Sequence, residues 1–365
     1  MSLSPVQHEA ATHVGGPTLI SSGAGSGKTR TMVAKAEYLI REMGYNPKCI
    51  LGVTFTNKAA SEMVFRLVTT TGYPRERFFW FRTFHSAMLQ ILKFHTAAIG
   101  FKSPVTIYDT SDSTALIKRL LLELNIDPKL LQTFKGLFSR AKNSIDPVKL
   151  LEGLEKKPSK IVEAFGLYRQ RLKQSNVMDF DDILQYSYRL LLENPEVREK
   201  YRSYFEHILV DEHQDSNGIM NHSIDLLVRD GNITVVGDFQ QSIYSWRAAE
   251  PKYFLDFPHR HPGTRVFSLE RNYRSTRQIV DLANRVIARN PVPFEEVVFH
   301  IERGDLLDIV EHPNQERYRG QRLFIVNIDD YGHLVLFIES EEEVFLKTVI
   351  PSRKATKKYL KGKNK

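Results

Sequence analysis

Apolar positions fall into two regimes along the chain. Up to about residue 290, short unbroken apolar runs alternate with longer stretches in which apolar residues recur three and four apart. The runs include Thr18 to Ile20, Ile208 to Val210 and ITVVGD at 233–238. Such runs predict buried strands, and their alternation with helices predicts an α/β fold around a mostly parallel sheet. Between about 101 and 176 the helical period holds by itself in STALIKRLLLELNI, LLQTFKGLFSRAKN and KIVEAFGLYRQRLKQ, which predicts a helical insertion. From Val292 the period drops to two, in RLFIVNID, HLVLFIES and VFLKTVI, with turns expected at Asp329-Asp330 and Glu339 to Glu343. That pattern predicts a small β-rich module built as a three-stranded antiparallel meander. The change of period, within NRVIARNPVPFEEVVFHIERGD, predicts two pieces joined near residue 291.

The first candidate chemistry lies in PTLISSGAGSGKTRTMVAKAEYLI, a strand, a glycine loop and a helix in the order that a Walker A phosphate loop requires. In Ser22-Gly23-Ala24-Gly25-Ser26-Gly27, the glycines let backbone N–H groups approach phosphates at a helix N-terminus. Lys28 is then expected on the β- and γ-phosphates of ATP, and the Thr29 hydroxyl on Mg²⁺. HILVDEHQD supplies the matching acids after a buried run: Asp211 for the metal shell and Glu212 to polarise the attacking water. ITVVGD leads into FQQSIYSWR, where Gln241 stands where an amide can sense a γ-phosphate. Tyr244 and Trp246, beside Arg247, suit base stacking on a single strand, although both read equally well as core aromatics.

Composition changes this picture little. The chain has 365 residues, a formal net charge of +8 and one cysteine, Cys49. The positive balance hints at a polyanionic partner, but part of it sits in the tail RKATKKYLKGKNK. A lone cysteine excludes an internal disulfide and fits a reducing, cytoplasmic setting. No apolar run reaches the roughly 18 residues of a membrane span, and the start lacks the order of a signal peptide.

Taken in order, the motifs over about residues 1–290 resemble those of superfamily 1 DNA helicases of the UvrD/Rep/PcrA type. LSPVQHEA is similar to the family's Q motif, GAGSGKTR to motif I, TFTNKAASEM to Ia and TFHS to Ib. MDFDDIL, VDEHQDSN, GDFQQSIYSWRAAEP and LERNYRS follow as the acidic motif and motifs II, III and IV. The chain departs from the family's pattern at His213, where an aromatic is usual, and at Ala248, where RGA is usual. The resemblance implies an ATP-dependent helicase with a RecA-like domain at 1–100 and 177–290, a helical 1B subdomain at 101–176, and the start of a second RecA-like domain from about 270. It places Gln7 on the adenine, adds Arg30 to the phosphate loop, and puts Tyr273 against the adenine and Arg274 on the γ-phosphate. It implies single-stranded DNA, or a single–double strand junction, as partner, with Phe55 and His85 in contact. Lys135, Arg140 and Lys142 of the insertion read either as phosphate contacts or as a solvated helix face.

Nothing after residue 290 resembles motifs V and VI, so the expectation is a motor weak or inactive by itself, unless a second chain supplies the other lobe. The remainder, about 293–361, resembles the small BrnT-like toxins of bacterial toxin–antitoxin pairs through EHPN and IPSRKATKKYL. That resemblance implies a compact ribonuclease, with Lys347, Arg353 and Lys354 as cations for a scissile phosphate. A binding module that grips single strands without turnover is the other alternative.

Overall fold

The structure is a computed structural model. It describes residues 3–154, 158–238, 252–276, 278, 297, 300–301, 303–311, 322–328, 331–339, 344–352 and 355–360. Two compact units divide between Arg271 and Asn272.

The first unit is an α/β domain on six parallel strands: β1 (Thr18–Ser22), β2 (Ile50–Thr54), β3 (Phe81–Thr83), β6 (His207–Val210), β7 (Ile233–Gly237) and β8 (Arg265–Leu269). Their order is β3-β2-β6-β7-β1-β8, so the two strands that carry the expected phosphate-site motifs, β1 and β6, flank β7. β2, β6 and β7 are buried along their whole length, as parallel strands covered on both faces must be. The covering helices are α1 (Pro5–Thr12), α2 (Lys28–Arg41), α3 (Asn57–Thr71), α4 (Phe84–Lys93), α9 (Phe180–Glu193), α10 (Pro195–Tyr204) and α11 (Gly218–Leu227). Their starts are legible locally: Ser4, Thr56, Thr83, Asp179 and Asn217 each accept a backbone N–H in the first turn.

Between α4 and α9 the chain makes the helical excursion that the 3.6 period predicted. It contains α5 (Thr110–Glu123), α6 (Leu131–Lys142), α7 (Pro147–Glu152) and α8 (Ile161–Gln174). Leu120, Leu121, Phe134, Phe138, Phe165 and Tyr168 give it a core of its own. It leaves and returns through two short parallel strands, β4 (Thr106–Ile107) and β5 (Val177–Met178).

The second unit contains an antiparallel sheet in the order β12-β11-β10-β9. Its strands are β9 (Leu306–Glu311), β10 (Arg322–Ile328), β11 (Tyr331–Glu339) and β12 (Val344–Pro351). The expected three-stranded meander is therefore four-stranded. β9 escaped the alternation pattern because it is an edge strand with half-exposed or exposed side chains throughout, and edge strands bury too little to be patterned strongly. Val297, Val326, Ile328 and Val335 form its buried core.

Candidate nucleotide and strand-binding site

The loop from Ser22 to Gly27 joins β1 to α2, and Gly25 and Gly27 take left-handed φ values of 72° and 90°. Those conformations let N–H groups converge without a Cβ in the way. Gln7 closes over this loop: its Nε2 donates to Ser26 O at 2.9 Å, and its Oε1 accepts from Ser4 N at 2.9 Å. A Cβ on Gly27 would lie 2.7 Å from Gln7 Nε2, so the glycine is needed for close approach as well as for its dihedral. The other end of the loop is tied to the sheet where Ser22 Oγ donates to Gly237 O at 3.3 Å.

Lys28 opens α2 with a side chain only 10% exposed. Its Nζ has no hydrogen-bond partner among the described residues and stands 3.4 Å from Glu212 Oε2. A buried ammonium without a hydrogen bond is costly unless an anion completes it. Opposite, Asp211 is buried at the end of β6, anchored by its N–H to Val53 O at 2.9 Å. Burial first, and the neighbouring Glu212 charge second, push its carboxyl up to about 7. A cation would relieve both effects, so Asp211 and Glu212, with the Lys28 ammonium opposite, suit a Mg²⁺–polyphosphate. Glu212 itself has φ 50°, a left-handed backbone on a non-glycine residue, of the kind that strain concentrates at functional positions.

The motif that begins at Asp211 continues toward the insertion. Asn217 caps α11 and donates from Nδ2 to Asn143 Oδ1 at 2.7 Å, while Asn143 Nδ2 donates to Asp181 Oδ1 at 2.9 Å. Beside them Lys142 is fully buried, with Nζ 2.6 Å from Asp179 Oδ2 and 2.8 Å from Asp182 Oδ1. The Tyr168 hydroxyl donates to the same Asp179 oxygen at 2.8 Å. Burial alone would lower the Lys142 pKa, but the Asp182 and Asp179 carboxylates hold it above the usual lysine range. Burial also pushes Asp182 up to about 6, against the pull of Lys142. Of the three insertion cations, Lys142 is thus held inside the protein, its ammonium bound by two carboxylates. Its basic run looks the same as a solvated face in sequence, because burial comes from the far-off acids of α9. Lys135 is half-buried at a cavity of about 460 Å³, and Arg140 is exposed.

That cavity is lined by Phe55, His85, Tyr108, Phe138 and Phe180, and a second of about 430 Å³ shares Phe55, His85 and Phe180. His85 stacks on Phe180 with ring centroids 4.0 Å apart and planes at 18°. Phe55 and His85, far apart in sequence, are therefore brought together. Phe180 joins them as an exposed aromatic that sequence reasoning passed over. Its place directly after the cap Asp179 does not mark it in the sequence, since Phe84, at the same position of α4, is buried. His213 is buried against Phe254 and Phe257, at 6.0 and 5.8 Å, and burial with the nearby Arg260 charge lowers its pKa to about 3, keeping it neutral.

Thr29 and Arg30 follow Lys28 in the first turn of α2 and are half-buried. Gln241, Tyr244, Trp246, Arg353 and Lys354 lie outside the described residues. Tyr273 and Arg274 belong to the second unit, where Arg274 N donates to Asn272 Oδ1 at 2.8 Å, and Lys347 lies on β12. Among the described residues, no helix is long and apolar enough to cross a membrane.

The chain matches the family model of the UvrD/REP helicase N-terminal domain over residues 3–262. It is 40% identical over 321 residues to the ATP-dependent DNA helicase Rep of Salmonella typhimurium, covering 87% of this chain and 48% of that protein. Rep of Escherichia coli is 39% identical over 321 residues, with coverage of 87% and 48%. The ATP-dependent DNA helicase PcrA of Bacillus subtilis is 39% identical over 293 residues, with coverage of 79% and 40%. The chain spans about half the length of the curated relatives it matches.

Proposed function

The chain belongs to the UvrD/REP helicase N-terminal domain family, and on that premise we propose that it binds and hydrolyses ATP and couples that cycle to a grip on single-stranded DNA. The observation that carries this reading is the buried Lys28 ammonium, without a hydrogen bond among the described residues, 3.4 Å from Glu212 across the loop–strand junction. Lys28 takes the phosphates, and Thr29 and Asp211 hold Mg²⁺, which supplies charge neutralisation on the phosphate oxygens. Glu212 accepts the proton of the attacking water. Ser22 to Gly27 and Arg30 line the phosphates. Gln7 and Tyr273 contact the adenine, and Gln241 and Arg274 read the γ-phosphate, roles that rest on the family resemblance.

The strand runs over Phe55, His85 and Phe180, with Tyr244 and Trp246 as further stacking residues. Aromatic faces grouped beside open cavities support this reading, since bases stack on such surfaces without regard to sequence. A second chain that supplies segments like motifs V and VI is expected to raise turnover. Steady-state ATP hydrolysis with and without a single-stranded oligonucleotide, beside Glu212→Gln, tests the proposal. DNA-stimulated turnover lost in the variant is expected. Nucleotide and strand binding with no turnover would replace it with a binding-only module.

A further inference from the structure

Two groups hold Glu212, and both do so on one oxygen. Lys28 Nζ lies 3.4 Å from Oε2, and Gln214 Nε2 donates to that same atom at 2.9 Å. An incoming polyphosphate competes for the lysine, which leaves the amide as the lasting restraint on the carboxylate. Gln214 is only 1% exposed, so water cannot replace it. Its Nε2 also lies 3.3 Å from Asp215 Oδ2, and its Oε1 accepts from Asp238 N at 3.0 Å, at the end of β7. Room for that oxygen exists because residue 237 is glycine; a Cβ there would stand 2.6 Å from it. An amide offers a donor and an acceptor on one planar group without a charge, whereas a carboxylate in its place would repel Glu212 and a hydrocarbon would strand both partners.

We propose that Gln214 is a positioning residue for hydrolysis, aiming the Glu212 carboxylate and tying it to the end of β7. Fixing Oε2 sets the direction of Oε1, and the left-handed backbone at Glu212 sets the root of the side chain. This rests on the ATP hydrolysis proposed above. The test uses the full chain, with Mg²⁺, ATP and a single-stranded oligonucleotide. Gln214→Glu keeps an acceptor for the Asp238 N–H but loses the donor to Glu212, and Gln214→Leu loses both. Each is expected to lower kcat by about ten- to a hundred-fold, with KM for ATP within about twofold. Amide exchange in peptides containing Asp238 should rise in Gln214→Leu and stay near wild type in Gln214→Glu. A merely structural role would instead move KM, melting temperature and exchange together in both variants, and would overturn the proposal. So would a kcat near wild type in either variant while Glu212→Gln is inactive. A wild type that does not hydrolyse ATP would overturn the reading beneath, together with the proposal built on it.

Discussion

Lys28 and Lys142 both face a pair of carboxyl-bearing residues, yet they occupy opposite situations. Lys142 is fully buried, with two acid oxygens within 2.8 Å and a tyrosine hydroxyl completing the cluster. Lys28 has one acid oxygen at 3.4 Å and no hydrogen bond among the described residues. The first arrangement is closed and leaves nothing for a ligand to add. The second is open and gains when an anion arrives. Charge and spacing in the sequence do not separate the two; how completely each cation is satisfied does.

Removing Lys142 should have the largest effect on the fold. Lys142→Ala leaves Asp179 and Asp182 as uncompensated buried acids, an expected loss of about 3–5 kcal/mol in denaturant unfolding at neutral pH. A loss below about 1 kcal/mol would mean that the cluster is already hydrated. Lys28→Ala should do the reverse. Turnover should fall by about a hundred- to a thousand-fold, while stability changes by less than about 0.5 kcal/mol. If both variants lost stability alike, the two lysines would not differ in how completely they are satisfied.

A smaller effect is expected at the aromatic platform. Phe180→Ala should weaken binding of a labelled single-stranded oligonucleotide by about 1–3 kcal/mol, with ATP affinity unchanged. The smallest concerns His213, whose pKa lies near 3 in the fold against 6.5 outside it. The unfolded chain therefore binds the extra proton between those values, and the histidine's contribution is present above about pH 6.5 and lost as pH falls toward 3. Substituting phenylalanine, the kind of side chain already around it, should flatten the fall in melting temperature between pH 7 and pH 5. Equal slopes in the two proteins would show that His213 does not titrate on unfolding.

Much of this was legible in the sequence, and for definite reasons. GAGSGKT and VDEHQD each follow a buried strand, and strand ends fix where a loop can point, so Lys28 and Glu212 come together. The insertion was legible because its helices carry their own core at helical spacing. What stayed hidden depended on pairing across distance. Lys142 reads as one more exposed cation until α9 brings its acids, and Gln214 reads as filler among acids until β7 arrives beside it. Edge strand β9 was missed because its burial is too slight to impose a pattern.

The short β4–β5 pair has a consequence for exchanging parts of the molecule. Paired strands lie about 4.8 Å apart, so the excursion from residue 108 to 176 leaves and re-enters the domain almost at one point. By connectivity it is a cassette that a foreign domain could occupy, although the two strands are parallel, so a crossover rather than a tight turn must join them. By energy it is not, because its removal takes Lys142 away from Asp179 and Asp182. A graft at this neck will be tolerated only when the incoming segment brings a buried cation of its own, or when those two acids are replaced with it.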